Sequence, residues 1–452
     1  MHIIALLPGF AALFVSLRWS PAVAFVYVYI PTLLFFPDYY RWIAPGLPDP
    51  NFHQAAILPI VAIYLWNGGQ WQFTPTDLIV LGFAFCVGFS QYLATGYADA
   101  QNLIFAMLCS VILPYALAKA LIEPAGIRVE FAKVSVLVLG AIAILSLYEF
   151  RFILNPFQLY LRPFFPGLGY GWVSNIRWGF GRVAGPFAHA ILAGVMFAVG
   201  FRIQRWLQSG GHWGSSKKHR RFAQLLTFGM VCAMAITLSR GPWIGSILGA
   251  APAYLGRVKK RKNVLILLMA LGFLVGVPAY LGFKAYVSVG RAGASSDTQE
   301  TAAYRKELFD KYLSIALERS TWGWGQTTVP KVPGMESVDN YWLLLALMHG
   351  TIALGFFALL FVVTSLRLTI AGFRTAPYSD DGRLAFDLVG IYLMYMFSIT
   401  TVFLGTQTQP MLFLVTGWAE GLLMSMKYRK GDSQQPAREL KSPSFQFKRV
   451  LS

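Results

Sequence analysis

Apolar runs of roughly 15 to 22 residues recur along this chain from one end to the other, each about long enough to cross a bilayer as a helix. A segment of that kind must satisfy its own backbone polar groups in lipid, which leaves helices or closed barrels. An outer-membrane barrel would instead show alternating strands of about ten residues. With 56% hydrophobic and 13% charged residues over 452 positions, a soluble globule is excluded. The fold class expected is an all-α polytopic membrane protein, a bundle of about 12–13 transmembrane helices with a large extracytoplasmic loop between late helices.

The expected spans run near His2–Leu17, Ser20–Phe36, Gln54–Trp66, Leu78–Tyr97, Asn102–Ile122, Val134–Glu149 and Pro186–Phe201. They continue near Phe222–Leu238, Trp243–Gly256, Asn263–Phe283, Tyr341–Val363, Leu384–Leu404 and Met411–Ser425. Residues 1–426 then form a single transmembrane domain that includes an extracytoplasmic loop over 284–340, and 427–452 form a basic cytoplasmic tail expected to be disordered. The opening stretch has neither a basic leader nor a small-residue cleavage site, so it reads as a retained span.

The net charge of +18 reflects short basic loops and does not describe a nucleic-acid surface. Arg202, Arg205, Lys217, Lys218, Arg220 and Arg221 fill one loop; Arg257, Lys259, Lys260, Arg261 and Lys262 a second; Arg367, Arg374 and Arg383 a third. By the positive-inside rule these are cytoplasmic, which puts 150–185, the Arg240 turn, 284–340 and 405–410 on the outer face. Cys86, Cys109 and Cys232 lie inside apolar runs and offer neither a disulfide framework nor a zinc site. No Walker-type loop, G-x-S-x-G elbow, acidic metal pair or metal-ligand spacing is present, so no metal and no cofactor is expected.

Arg240 stands within Thr237-Leu-Ser-Arg-Gly-Pro-Trp243, at the tip of a membrane hairpin expected to turn at Gly241-Pro242. A guanidinium at membrane level either snorkels to headgroups or serves a site, and its planar fork suits diphosphate oxygens. The outer stretch 150–185 carries Arg151, Arg162, Arg177 and Arg182 with only Glu149 beside them, against the positive-inside tendency. Lipid headgroups or an anionic substrate would compensate that charge. The loop over 284–340 has seven Lys/Arg and seven Asp/Glu. Within it, Ser296-Asp-Thr-Gln-Glu300 reads as a helix start, and Tyr304, Leu308, Tyr312 and Ala316, with Phe309 and Leu313, form an apolar stripe at helical spacing. This predicts a helix lying on the bundle. His189 sits at the outer mouth of a span, where an imidazole can simply bond a carbonyl, and His349 lies two turns inside one and is similarly ambiguous.

Four stretches taken together resemble the O-antigen ligase/polymerase superfamily of integral membrane glycosyltransferases. They are Arg182-Val-Ala-Gly-Pro-Phe-Ala-His189, Leu238-Ser-Arg-Gly-Pro-Trp243, Tyr304-Arg-Lys-Glu-Leu-Phe309 leading to Gly323-Trp-Gly325, and Asp339-Asn-Tyr-Trp342. The resemblance covers roughly Leu161 to Gly355. It implies an enzyme of the bacterial inner membrane, its active site facing the periplasm, that takes a glycan from a polyprenyl-diphosphate carrier and joins it to a glycan or lipid-linked acceptor. Membrane lipids and proteins of polysaccharide export and chain-length control are the further partners it implies.

Such chemistry needs cations on a departing diphosphate and a base for the acceptor hydroxyl. Arg182 and Arg240 are the expected catalytic guanidinium groups, with Arg177 and Arg305 assisting and His189, Asn340 and Tyr341 as substrate contacts. Where the family commonly shows His-Asn before the Tyr of its last motif, this chain has Asp339-Asn340. Asp339 is then the base, or His189 supplies it, or Asp339 only caps the following helix. Three functions stay open: a polymerase of exopolysaccharide or O-antigen repeats, a ligase onto lipid A core, and a lipid-linked glycan transporter. Against the last stand the lack of inverted halves and of paired broken helices in the sequence.

Overall fold

The computed structural model describes residues 2–43, 46–169, 176–335 and 337–432. The expected disordered tail beyond residue 432, and Tyr170 to Trp172 of a Gly-rich outer run, lie outside the described residues. The chain is an all-α polytopic membrane protein. Its helices are α1 (His2–Arg18), α2 (Pro21–Phe35), α3 (Phe52–Trp66), α4 (Pro75–Thr95), α5 (Tyr97–Leu121), α6 (Arg128–Phe152), a short α7 (Pro156–Leu161) and α8 (Ala190–Ser209). Then come α9 (Lys217–Ile236), α10 (Arg240–Leu255), α11 (Arg261–Ser288), α12 (Asp297–Glu318), α13 (Tyr341–Arg374), α14 (Asp380–Ser398) and α15 (Thr408–Asp432). Six of them, α4, α5, α6, α8, α11 and α13, are long and apolar enough to cross a membrane, and α1, α2 and α3 are shorter apolar helices.

Each expected span coincides with a helix, because runs without internal polarity have nothing to satisfy their backbone except the helix itself. Helix starts follow local chemistry. Asn51 and Gln54 close a capping box on α3, and Ser296 caps α12 by accepting from Gln299 N. Small residues set close helix contacts: Gly249 of α10 and Gly390 of α14 meet so tightly that a Cβ on either would strike the other's carbonyl.

Four expectations are corrected. Lys284 to Ser288 continue α11, and Lys427 to Asp432 continue α15, so loop and tail begin later than the loss of hydrophobicity suggests. Gly241-Pro242 lie inside the first turn of α10; the chain turns earlier, over Thr237 to Ser239, with Leu238 left-handed at φ 49°. On α12 the stripe Leu308, Tyr312, Ala316 is buried against Leu343, Ala346 and Leu347 of α13, while Phe309 and Leu313 stay exposed.

The fourth is α13, which breaks at Gly350 (φ 77°, ψ 177°) inside a run that reads as one continuous apolar helix. The freed carbonyls of Leu347 and Met348 accept from Trp324 N and Gly325 N, each at 2.8 Å, and Thr351 N donates to Ser320 O at 2.6 Å. Loop residues 320–325 thereby fill the break. A Cβ at Gly350 would collide with the Thr321 carbonyl, so the interlock requires glycine. It fastens α12 and the N-terminal part of α13 to the bundle, with Gln91 of α4 accepting from Gln326 N at 2.7 Å.

Candidate active site

The α9–α10 turn is the centre of the site. Arg240 is the first residue of α10 and is solvent-exposed, and its N-cap residue Ser239 makes no side-chain cap to the helix. That hydroxyl is engaged elsewhere: Ser239 Oγ donates to Thr237 O and accepts from Arg182 Nη2 at 2.9 Å. Arg182, 6% exposed, also donates from Nε to Thr237 O at 3.2 Å. Arg177 Nη1 donates to Leu238 O at 2.8 Å. Two arginines from 150–185 thus grip the turn from which a third projects.

Arg182 is held in place from behind. Glu149, 2% exposed near the C-terminal end of α6, accepts from Ala184 N (3.1 Å) and Gly185 N (2.8 Å). Asn155 Nδ2 donates to both Gly185 O (2.7 Å) and Glu149 (3.2 Å). Gly185 is left-handed at φ 59°, a conformation that costs glycine little. The sequence offered Glu149 only as a lone acid among arginines; its role as the clamp of the Arg182 turn depends on a contact 36 residues along the chain.

The arginines share one electrostatic field. Burial lowers Arg177 below the usual arginine value, and the Arg240 and Arg305 guanidinium groups lower it further. Arg182 is brought down to about 10 by burial and by Arg177, so it stays protonated at neutral pH. Burial, with Arg182 and Arg177, holds His189 down at about 4. Among the described residues no carboxylate lies within ion-pair distance of Arg177, Arg240 or Arg305.

Trp178 completes the group and was not singled out in the sequence. Strands β1 (Ile176–Arg177) and β2 (Phe180–Gly181) pair antiparallel around Trp178-Gly179, both at positive φ (55° and 80°). This is the two-residue hairpin loop that ordinarily takes Asn-Gly. The Arg177 and Arg240 guanidinium carbons lie 5.8 Å and 5.4 Å from the Trp178 ring centroid.

The remaining predicted residues fall into two sets. His189 is the N-cap of α8, its Nδ1 accepting from Ile191 N at 3.1 Å, and it sits within the field of Arg182 and Arg177. Asp339 is exposed and accepts from Ser337 Oγ at 3.0 Å; burial raises the Tyr304 hydroxyl and the Asp339 carboxylate raises it further. α12 contributes to both sets, Arg305 acting on Arg177 and neighbouring Tyr304 feeling Asp339. The notion that Asp339 caps α13 is corrected: the cap is Asn340, whose Oδ1 accepts from Trp342 N and Leu343 N. Tyr341 packs edge-on against Phe357, 5.3 Å between ring centroids.

Among curated proteins no significant match is found. Residues 225–358, from α9 through the Arg240 turn, α12 and the break in α13, match the family described as O-antigen ligase. The Arg177, Arg182 and His189 segment precedes that stretch and is joined to it by the hydrogen bonds above. Over this stretch the chain is similar to the O-antigen ligase family, in line with the resemblance carried by its four motifs.

Proposed function

We propose that this protein is a glycosyltransferase of the bacterial inner membrane that moves a glycan from a polyprenyl-diphosphate carrier to an acceptor sugar at the periplasmic face, extending exopolysaccharide or O-antigen repeats. The observation that carries this reading is the convergence of Arg177, Arg240 and Arg305 without a carboxylate in ion-pair reach among the described residues. Like charges gathered at a membrane surface are unfavourable unless an anion joins them, and a lipid diphosphate is an anion delivered at that depth. The N-terminus of α10, sixteen residues long, adds its positive end at the same point.

In the reaction the acceptor hydroxyl attacks the anomeric carbon, the bond from that carbon to the diphosphate oxygen breaks, and the negative charge leaves with the lipid diphosphate. Preorganised guanidinium groups stabilise that charge as it forms. Arg240 and Arg177 contact the oxygens, Arg305 closes from α12, and Arg182 holds the turn in register. Asp339, exposed beside Tyr304 of α12, takes the acceptor's proton. Transfer onto lipid A core would use the same donor site and differ in acceptor.

Extension of lipid-linked repeats in membranes holding equal amounts of each variant tests this. Because Asn340 supplies the cap, Asp339→Asn should leave folding intact and lower turnover by about 10²-fold. Near-normal extension by Asp339→Asn would remove Asp339 from the chemistry, and transfer to lipid A core in place of chain extension would make the protein a ligase.

A further inference from the structure

Trp178 is a costly choice for its position. A bulky side chain at φ 55° is strained by roughly 1–2 kcal/mol where Asn or Gly would be relaxed, and the ring is left 57% exposed. It is also the residue whose ring both the Arg177 and the Arg240 guanidinium groups approach. Strain, exposure and two cations meet on one ring beside the turn that carries Arg240.

We infer that Trp178 is the sugar platform of the donor site: its indole steadies Arg240 through a cation–π contact and stacks against the C–H face of the pyranose that bears the diphosphate. This rests on the donor reading above. Pyranoses present a face of weakly positive C–H groups, which the electron-rich face of an indole attracts much as it attracts the edge of another ring. The placement fits the covalent order of the donor, since the first sugar is bonded to the phosphate that Arg240 and Arg177 hold. The hairpin positions the indole at the anion site, and a relaxed Asn-Gly turn would bring no ring there. Ile176 and Phe180 are also exposed on the hairpin, so the competing role for Trp178 is that of an apolar anchor in the headgroup layer.

The test measures binding to the full-length protein in detergent, using a short-chain prenyl diphosphate with and without one pyranose on its terminal phosphate. The proteins are wild type, Trp178→Phe, Trp178→Leu, Trp178→Asn and Arg240→Lys. Asn suits the turn and Leu retains apolar bulk, so the first controls for strain in the hairpin and the second for membrane anchoring. The expected result is a loss of about tenfold in affinity for the sugar-bearing ligand in Trp178→Leu and Trp178→Asn, a smaller loss for the bare diphosphate, and at most about threefold loss in Trp178→Phe. Equal losses for the two ligands, or wild-type binding by Trp178→Leu, would overturn the platform. Undiminished binding of both ligands by Arg240→Lys would instead overturn the donor-site reading on which it rests.

Discussion

The two ends of this bundle treat arginine in opposite ways. At the end away from the α9–α10 turn, several cations are matched to carboxylates: Arg367 makes a bidentate pair with Glu420 (2.7 and 2.9 Å), and Arg257 and Arg202 share Asp387. Arg128 bridges Glu123 and Asp381, and Lys119 lies 2.8 Å from both oxygens of Asp77. At the turn end, Arg177, Arg240 and Arg305 gather without such a partner among the described residues, and the nearby Glu149 is engaged by backbone amides and Asn155. A cation already paired within the protein contributes to the fold. One left facing others of its sign at a membrane surface is poised for an anion from outside.

The comparison is broken most severely by exchanging fork for point charge. Arg240→Lys keeps the positive charge and gives up bidentate geometry, so turnover should fall by about 10²-fold with insertion and protein level unchanged. Full complementation of a glycan-deficient strain by this variant would return Arg240 to the role of a headgroup anchor.

At the paired end the effect should appear in stability. Glu420→Gln removes an anion with a fully buried side chain and leaves Arg367 and the Thr76 hydroxyl with a weaker partner. We expect a loss of about 3 kcal/mol, the low end for a broken buried pair because Arg367 remains partly exposed. Thermal unfolding in detergent measures it, while turnover per folded molecule stays at the wild-type level. A turnover defect at unchanged stability would erase the distinction between the two ends.

The smallest expected effect concerns pH. With its folded value near 4, His189 is neutral from pH 5 to 8, whereas in the unfolded chain it protonates near its ordinary value. The unfolded state then binds more protons between about pH 6.5 and 4, so this residue's contribution to stability is lost as pH falls through that window. Activity should show no acid limb centred near 6.5. A limb there that vanishes in His189→Asn would make His189 the proton acceptor in place of Asp339.

Much of this contrast was legible in the sequence. Apolar length placed most of the helices in order, and the cap residues with the apolar stripe placed α12, because both signals are local. What escaped was what distant segments do to each other. Gly350 sits in an apolar run with no local sign of a break, and only the docking of residues 320–325 makes the break favourable. Glu149 acts on amides of a turn remote in the chain, and Trp178 acquires meaning only once Arg240 lies over its ring. The capping of α13 turned on a shift of one residue, between two side chains that cap about equally well.

The most direct measurement is calorimetric binding of a short-chain prenyl diphosphate, bearing no sugar, to wild type, to Arg177→Met/Arg240→Met and to Glu420→Gln. The account predicts binding by wild type, a loss of about 10²-fold or more in the double arginine variant, and unchanged affinity in Glu420→Gln, whose altered pair lies at the other end of the bundle. Undiminished binding by Arg177→Met/Arg240→Met would contradict it.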